Sequence, residues 1–352
     1  MATTAYPVNH ALAVKLWSRK LFQEALKETY ISRFIGKSSS SLIQLQEDTR
    51  KGAGDKITIG LRMQLSGAGI SGDGTLEGNE EALTTYNDAI FIDQLRHAVR
   101  SSGKMSEQRV PFSVREEARM GLTDWWSDRM DTAFFNQIAG NTAQTDTKYT
   151  GSQVAIAPSS TRIVYGGANT TEGSLSNVAG DKMTLTLIDE AVTLAKVSTP
   201  LIRPVKVNGA DKFVCFLHPY QVYDLRTSTS TGQWLDIQKA AMTGGKVSEN
   251  PIYTGSLGEY NGVILHESTR VPSFDTTATT AGGRRAIMCG AQSAAIAVGQ
   301  NSAPEKMSWV EELFDYENQL GVSAGMIWGL KKMVFNSVDF GTFVISTSAV
   351  AP

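Results

Sequence analysis

Two glycine-framed motifs and four histidines mark the places where this chain of 352 residues could do chemistry. Gly67, Gly69 and Gly72 spell G-x-G-x-x-G behind a strand-like run, the spacing with which a loop approaches a dinucleotide pyrophosphate. That chemistry needs a helix whose first turn receives the phosphates, and here Asp73, Gly74, Thr75, Leu76, Glu77 and Gly78 only prolong the loop. Gly321, Ser323 and Gly325 match G-x-S-x-G, the nucleophile elbow of serine hydrolases. In that fold the acid and then the histidine follow the serine, whereas His10, His97, His218 and His266 all precede Ser323. Small residues where backbones pack closely account for the motif better. His218, beside Pro219, has no carboxylate or cysteine at ligand spacing and reads as a polar residue at a strand-to-helix turn. Gly36-Lys37-Ser38 ends like a phosphate loop, but Ile31 stands where its first glycine is required. The expectation is therefore no catalytic set, no metal and no cofactor.

Composition points the same way. The 33 basic and 35 acidic residues leave a formal net charge of −2, so no excess of positive charge is available to grip a phosphate backbone. Any contact with double-stranded DNA is expected to be weak and non-specific. A charged fraction of 19% beside 32 glycines describes an ordered, loop-rich protein whose surface suits covering by neighbours. Cys215 and Cys289 each sit in an apolar run and are expected as buried free thiols in a reducing cytosol. Met1–His10 lacks a basic stretch followed by an apolar one, and no run of eighteen apolar residues occurs, so neither secretion nor a membrane span is expected.

The elements that carry these positions are unevenly shaped. Between Asn9 and Tyr30 the residues Leu12, Leu16, Phe22, Leu26 and Tyr30 recur about once per turn, which predicts an amphipathic helix. Gly36 and the serines 38–41 end it, so the first forty-odd residues read as an arm. Ile57, Ile59, Leu61, Met63 and Leu65 alternate with polar residues, the period of a strand with one buried face. A tip containing Gly67, Gly69, Gly72, Gly74 and Gly78 follows, then a return run over Tyr86–Leu95, making a long hairpin. Nine strand residues at about 3.3 Å each reach about 30 Å, so the apolar row is expected to lie on an adjacent subunit. From 113 to 139, Ala118, Leu122, Trp126, Met130, Phe134 and Ile138 fall four apart, a helix of about 40 Å with a Ser113–Glu116 capping box. Residues 140–180 are an irregular excursion, and a mixed α/β portion follows.

This order, arm, hairpin, long helix and α/β portion closing with strands, resembles the major capsid proteins of tailed double-stranded DNA bacteriophages. Phe213–Arg226 is similar to that family's strand followed by a His-Pro helix start, Ile252–Val271 to its glycine turn and Gly-Val strand, and Gly329–Ser346 to its closing strands. The coliphage N-four subgroup is the nearest in character. The resemblance implies an α+β, Hong Kong 97-like fold: an N-terminal arm (1–45), an extended loop (46–103), a peripheral domain (104–182) with the spine helix 113–139, a mainly axial domain (183–300) and a return to the peripheral domain (301–352). It implies a virion component, assembled in the host bacterial cytoplasm, that self-associates into hexamers and pentamers of an icosahedral shell. Scaffolding, portal and decoration proteins are the other implied partners, with no membrane. The rivals are a phage tail or head-completion protein and, more distantly, a hydrolase using Ser323.

Overall fold

The computed structural model describes residues 29–47, 54–109, 113–207, 209–228, 258–274, 282–299 and 308–351. The continuous apolar runs become strands buried on both faces, because a strand covered from two sides leaves no position for an exposed polar side chain. They form two sheets, with strands and helices numbered along the chain. The first has the order β1 (Ile35–Gly36), β2 (Ile43–Gln46), β13 (Ala294–Val298), β15 (Gln319–Lys332), β14 (Ser308–Phe314), and β5 (Asp93–Arg100) also pairs with β15. The second runs β6 (Ile163–Tyr165), β18 (Thr342–Ser348), β12 (Gly283–Cys289), β8 (Ala210–Leu217), β10 (Val263–Glu267), β9 (Glu259–Tyr260), with β7 (Val205–Val207) on β8 and β11 (Ser273–Phe274) on β12. β3 (Lys56–Arg62) and β4 (Thr85–Phe91) make a separate hairpin, and β16 (Val334–Phe335) pairs with β17 (Val338–Asp339).

Alternate residues of β8 and β12 serve two cores, as the two-residue period of a strand requires. Val214, Phe216, Ile287 and Cys289 face the cluster shared with the first sheet. Phe213, Cys215, Leu217, Ala286 and Met288 face α3 (Leu185–Val197) and α4 (Pro219–Thr227). The two cysteines thus sit in different clusters, buried and free, and burial pushes both thiols well above their ordinary range.

After a short helix, α1 (Lys104–Gln108), the long helix α2 (Val114–Ile138) packs on β15. All six residues of its expected stripe are buried, including Trp126, Phe134 and Ile138 with no exposed surface. Ser113 caps it by accepting the Glu116 amide at 3.4 Å, while the reciprocal bond of a capping box is absent. At its other end the helix is enclosed on every side. The Gln137 amide donates to the carbonyls of Thr150 (2.6 Å) and Gln153 (3.0 Å), stitching the irregular excursion to the helix. Arg285, from β12, donates to the carbonyls of Ala139 (3.2 Å) and Gly140 (2.7 Å), and its fork holds the Glu172 carboxylate at 2.6 and 2.7 Å. A charge-assisted bond to the last carbonyls of a helix also complements its dipole. One side chain thereby ties the helix, the excursion and the second sheet together.

Two expected boundaries move. Most of the arm's predicted helix, 9–28, lies outside the described residues, but within 29–46 the stretches around Ile31 and Leu42–Ile43 join the core while 37–40 stay exposed. Ile31 and Ile43 are fully buried, β2 pairs in parallel with β13, and the Asp131 carboxylate of α2 accepts the amides of Tyr30 and Ile31, each at 3.1 Å. Nor does 301–352 return as one piece to the sheet beside α2. β14 and β15 do, whereas β18 crosses into the second sheet between β6 and β12.

Candidate functional site

The hairpin is the element that sequence periodicity singles out, and its two ends differ. β3 and β4 pair antiparallel from Lys56↔Phe91 to Arg62↔Thr85, with one further ladder bond from the Met63 amide to the Thr84 carbonyl at 3.0 Å. The regular strand therefore stops at Arg62, short of the expected Leu65, and residues 63–84 carry no regular structure.

At the base the apolar row packs on its own chain, which corrects the expectation that a neighbour covers all of it. Ile57 and Ile90 are buried against Ala295, Ala297, Met333 and Phe335, and Ile59 and Leu61 are half-buried on the same cluster. The reason is reach: β4 runs on into β5 with one residue between, so the foot of the hairpin is drawn down onto the first sheet. The Asp88 carboxylate pairs with the Lys331 ammonium, which also donates to the Ala89 carbonyl at 3.0 Å, and Asp88 accepts the Val334 amide at 3.1 Å. Gly329 leaves room for the Phe91 carbonyl, which would meet a β-carbon there at 2.0 Å. Docking is thus sealed by apolar burial, an ion pair and a close backbone approach.

Beyond Met63, which is half-buried, the picture reverses. Leu65, Ile70, Leu76 and Leu83 are 56%, 43%, 60% and 58% exposed. Gly69, Gly72 and Gly78 take positive φ (71°, 64° and 87°), backbone turns that a side chain would strain; Gly67 and Gly74 do not. Glu81 closes the neck, accepting the amides of Ser66 (2.8 Å) and Gly67 (2.6 Å), and those bonds, the Ser66 amide first, hold its carboxyl below the usual range.

The other singled-out residues have structural surroundings. Ser323 lies mid-strand in β15, paired with Val310 and Ala98, and its hydroxyl donates to the Val310 carbonyl at 3.3 Å. A nucleophile elbow needs a strand-to-helix turn, and this position is a flat ladder. His97, opposite Ala324, belongs to the other face of the sheet and stacks on Trp125 at 4.6 Å. His218 is the N-cap of α4: its Nδ1 accepts the Tyr220 amide at 3.2 Å and its own amide donates to Gln221. Burial, with Arg284 nearby, lowers its pKa to about 4. Among the described residues no group of three or more His, Cys, Asp or Glu side chains is placed to hold a metal ion. No described helix is long and apolar enough to cross a membrane.

Sequence reasoning missed Asp88, Lys331, Glu81, Asp131 and Arg285. Asp131 had a signal, since it falls among the buried positions of α2 between Ser127 and Phe134, where an acid needs a partner. The others are ordinary surface-type charges until the fold supplies their partners.

Comparison with known proteins agrees with this architecture. The chain is similar over its whole length to the capsid of Ralstonia phage GP4, with 34% identity, a TM-score of 0.78 and coverage of 100% of this chain and 99% of that one. The capsid of cyanophage Pam1 shares the fold at 23% identity, with a TM-score of 0.77 over 93% and 94% of the two chains. The major capsid protein of Pseudomonas phage KPP25 is 29% identical, across 95% of this chain and 94% of that protein. The α+β arrangement is the Hong Kong 97-like phage capsid fold. A family model described as phage capsid protein matches residues 5–351, and the chain accordingly belongs to the phage capsid protein family.

Proposed function

We propose that this chain builds the phage shell by handing its hairpin tip from each subunit to the next, closing rings of six and five copies. The observation that carries this is the contrast within one ribbon: residues 63–84 expose four large apolar side chains that the described chain leaves uncovered, while the foot is locked to its own body. An apolar face of that kind on a two-stranded stalk is stabilised only by burial elsewhere, and a head-to-tail contact that closes gives a ring. Domain roles follow the two sheets, the first with α2 as the peripheral body and the second as the axial one. Residues before 29 supply further contacts between subunits. Contact with packaged DNA is diffuse and non-specific, in keeping with the net charge of −2. Scaffolding, portal and decoration proteins are further proposed partners, with assembly in the host cytoplasm and kinship to the coliphage N-four subgroup. The chain acts without catalysis: Ser323 has a ladder's geometry, and removing its hydroxyl by Ser323→Ala is expected to change no esterase activity above background.

The test replaces Leu76 and Leu83 by Asp in the full chain. The monomer's stability is expected to stay within about 0.5 kcal/mol of wild type, as for exposed substitutions, while capsomers and shells vanish from sedimentation profiles and micrographs. Normal shells from this variant would overturn the reading, and stacked tubes of one symmetry from the wild type would favour a tail protein instead.

A further inference from the structure

A two-residue hairpin turn that is left-handed at both positions favours Asn-Gly, and that dipeptide carries a chemistry of its own. Asn-Gly occurs twice in this chain, at 208–209 and 261–262, and Asn208 lies outside the described residues. The second copy turns the chain from β9 into β10, closed by the Tyr260↔Val263 pair. Asn261 has φ 47° and Gly262 φ 73°, so the turn needs these two residue types. The same need places an unhindered backbone amide directly after an asparagine carboxamide. Asn261 is exposed to water, and the Gly262 amide donates no hydrogen bond among the described residues. A β-carbon on Gly262 would find only the Asp211 carbonyl near it, at 3.8 Å, so nothing in the fold screens that nitrogen.

The turn is fastened to the body by one carboxylate. Asp189, on α3, accepts the Tyr260 hydroxyl at 2.7 Å on one oxygen and the Asn261 carboxamide at 2.8 Å on the other. Burial, and then the bond to Asp189, push the Tyr260 hydroxyl up to about 12, so it keeps its proton and stays a donor. An ionised carboxylate only accepts, so the clamp holds while residue 261 has an N–H to give. We infer that Asn261 is a self-modification site, at which the Gly262 amide nitrogen attacks the Asn261 side-chain carbonyl and converts the clamp on α3 into a pair of carboxylates. The new N–C bond forms as the Cγ–Nδ2 bond breaks, and that nitrogen leaves as ammonia, taking the proton given up by the Gly262 amide. Water then opens the succinimide at either carbonyl to give aspartate or isoaspartate, and no other reactant is needed. Residue 261 then opposes Asp189 with like charge, and Glu259, on β9, already has Lys212 as its partner at 2.5 Å. The turn is thereby released from α3 as the protein ages.

Two arms test it in the full-length protein. In the first, native protein and the urea-unfolded chain are kept at 37 °C and pH 8, then digested for peptide mass mapping with fragmentation to locate the change. A gain of about 1 Da at residue 261 is expected in both, with part of the product taking an isoaspartate-specific methyl label, and Asn261→Gln should abolish it. Native protein that keeps Asn261 intact, whether or not the unfolded chain converts, would overturn the inference, since the fold then protects the turn. In the second arm Asn261→Asp, which is one of the products, is expected to lower the melting temperature by about 2 °C. Adding Asp189→Asn restores one carboxylate facing one carboxamide and should recover most of that loss. An Asn261→Asp chain that melts with the wild type, or an exchanged pair that recovers nothing, would overturn the release of the clamp.

Discussion

The foot and the tip of the hairpin come from one stretch of chain and both carry large apolar side chains, yet they have opposite physical fates. At the foot, Ile57 and Ile90 are buried, Asp88 is paired with Lys331, and the backbone touches Gly329. At the tip, leucines stand in solvent and only Glu81 organises the neck. The difference teaches that the hairpin is a lever: stability resides where it is clamped, and association resides where it is free. A ribbon loose at both ends would have no defined direction in which to offer its tip, and one buried throughout would have nothing left to offer.

The sharpest way to break this comparison is Ile90→Ala. Emptying a fully buried position should cost about 2–5 kcal/mol, read as a lower urea midpoint, and assembly should fail because the folded chain is scarce. If Ile90→Ala leaves stability untouched, the foot is not clamped. Asp88→Ala strands the Lys331 ammonium in a site where its side chain is only 13% exposed, and should cost about 2 kcal/mol or more. The matching tip variant, Leu76→Ala, should leave stability within about 0.5 kcal/mol of wild type.

Acid should separate the two regions next. His218 is buried and neutral in the body, with a folded pKa of about 4 against an ordinary 6.5, so the unfolded chain takes up protons first. Stability is therefore complete above about 6.5 and falls as pH drops from there towards 4. Burial lowers the pKa of His266, beside Arg33, in the same direction. Thermal melts between pH 7 and 4 should show a loss that His218→Asn reduces, since asparagine can cap α4 without titrating. An unchanged slope in that variant would remove His218 as a cause. The smallest effect is Glu81→Gln at the exposed neck: an unchanged melting temperature, but faster proteolytic cutting within 63–84 as the Ser66 and Gly67 amides lose their anionic partner.

The sequence by itself determined what depends on neighbours a few residues apart. The four-residue spacing from Ala118 to Ile138 specified the long helix and its buried stripe, Ser113 its cap, and the apolar runs at 286–289 and 294–298 the doubly buried strands. The missing acid and histidine after Ser323 already argued against an elbow. Only the tertiary structure decided who covers what. Alternation from Ile57 to Leu65 states that one face is apolar, and it is silent on whether the cover is Ala295 and Phe335 or another copy. The root of the arm at Ile31, held by Asp131 a hundred positions away, the Lys331–Asp88 clamp across 243 positions, and Arg285 closing the end of α2 are equally invisible locally. Their physical reason is common to all three: a charge on a helix or strand is stable in water by itself, and it becomes structural only when folding removes the water and presents a partner.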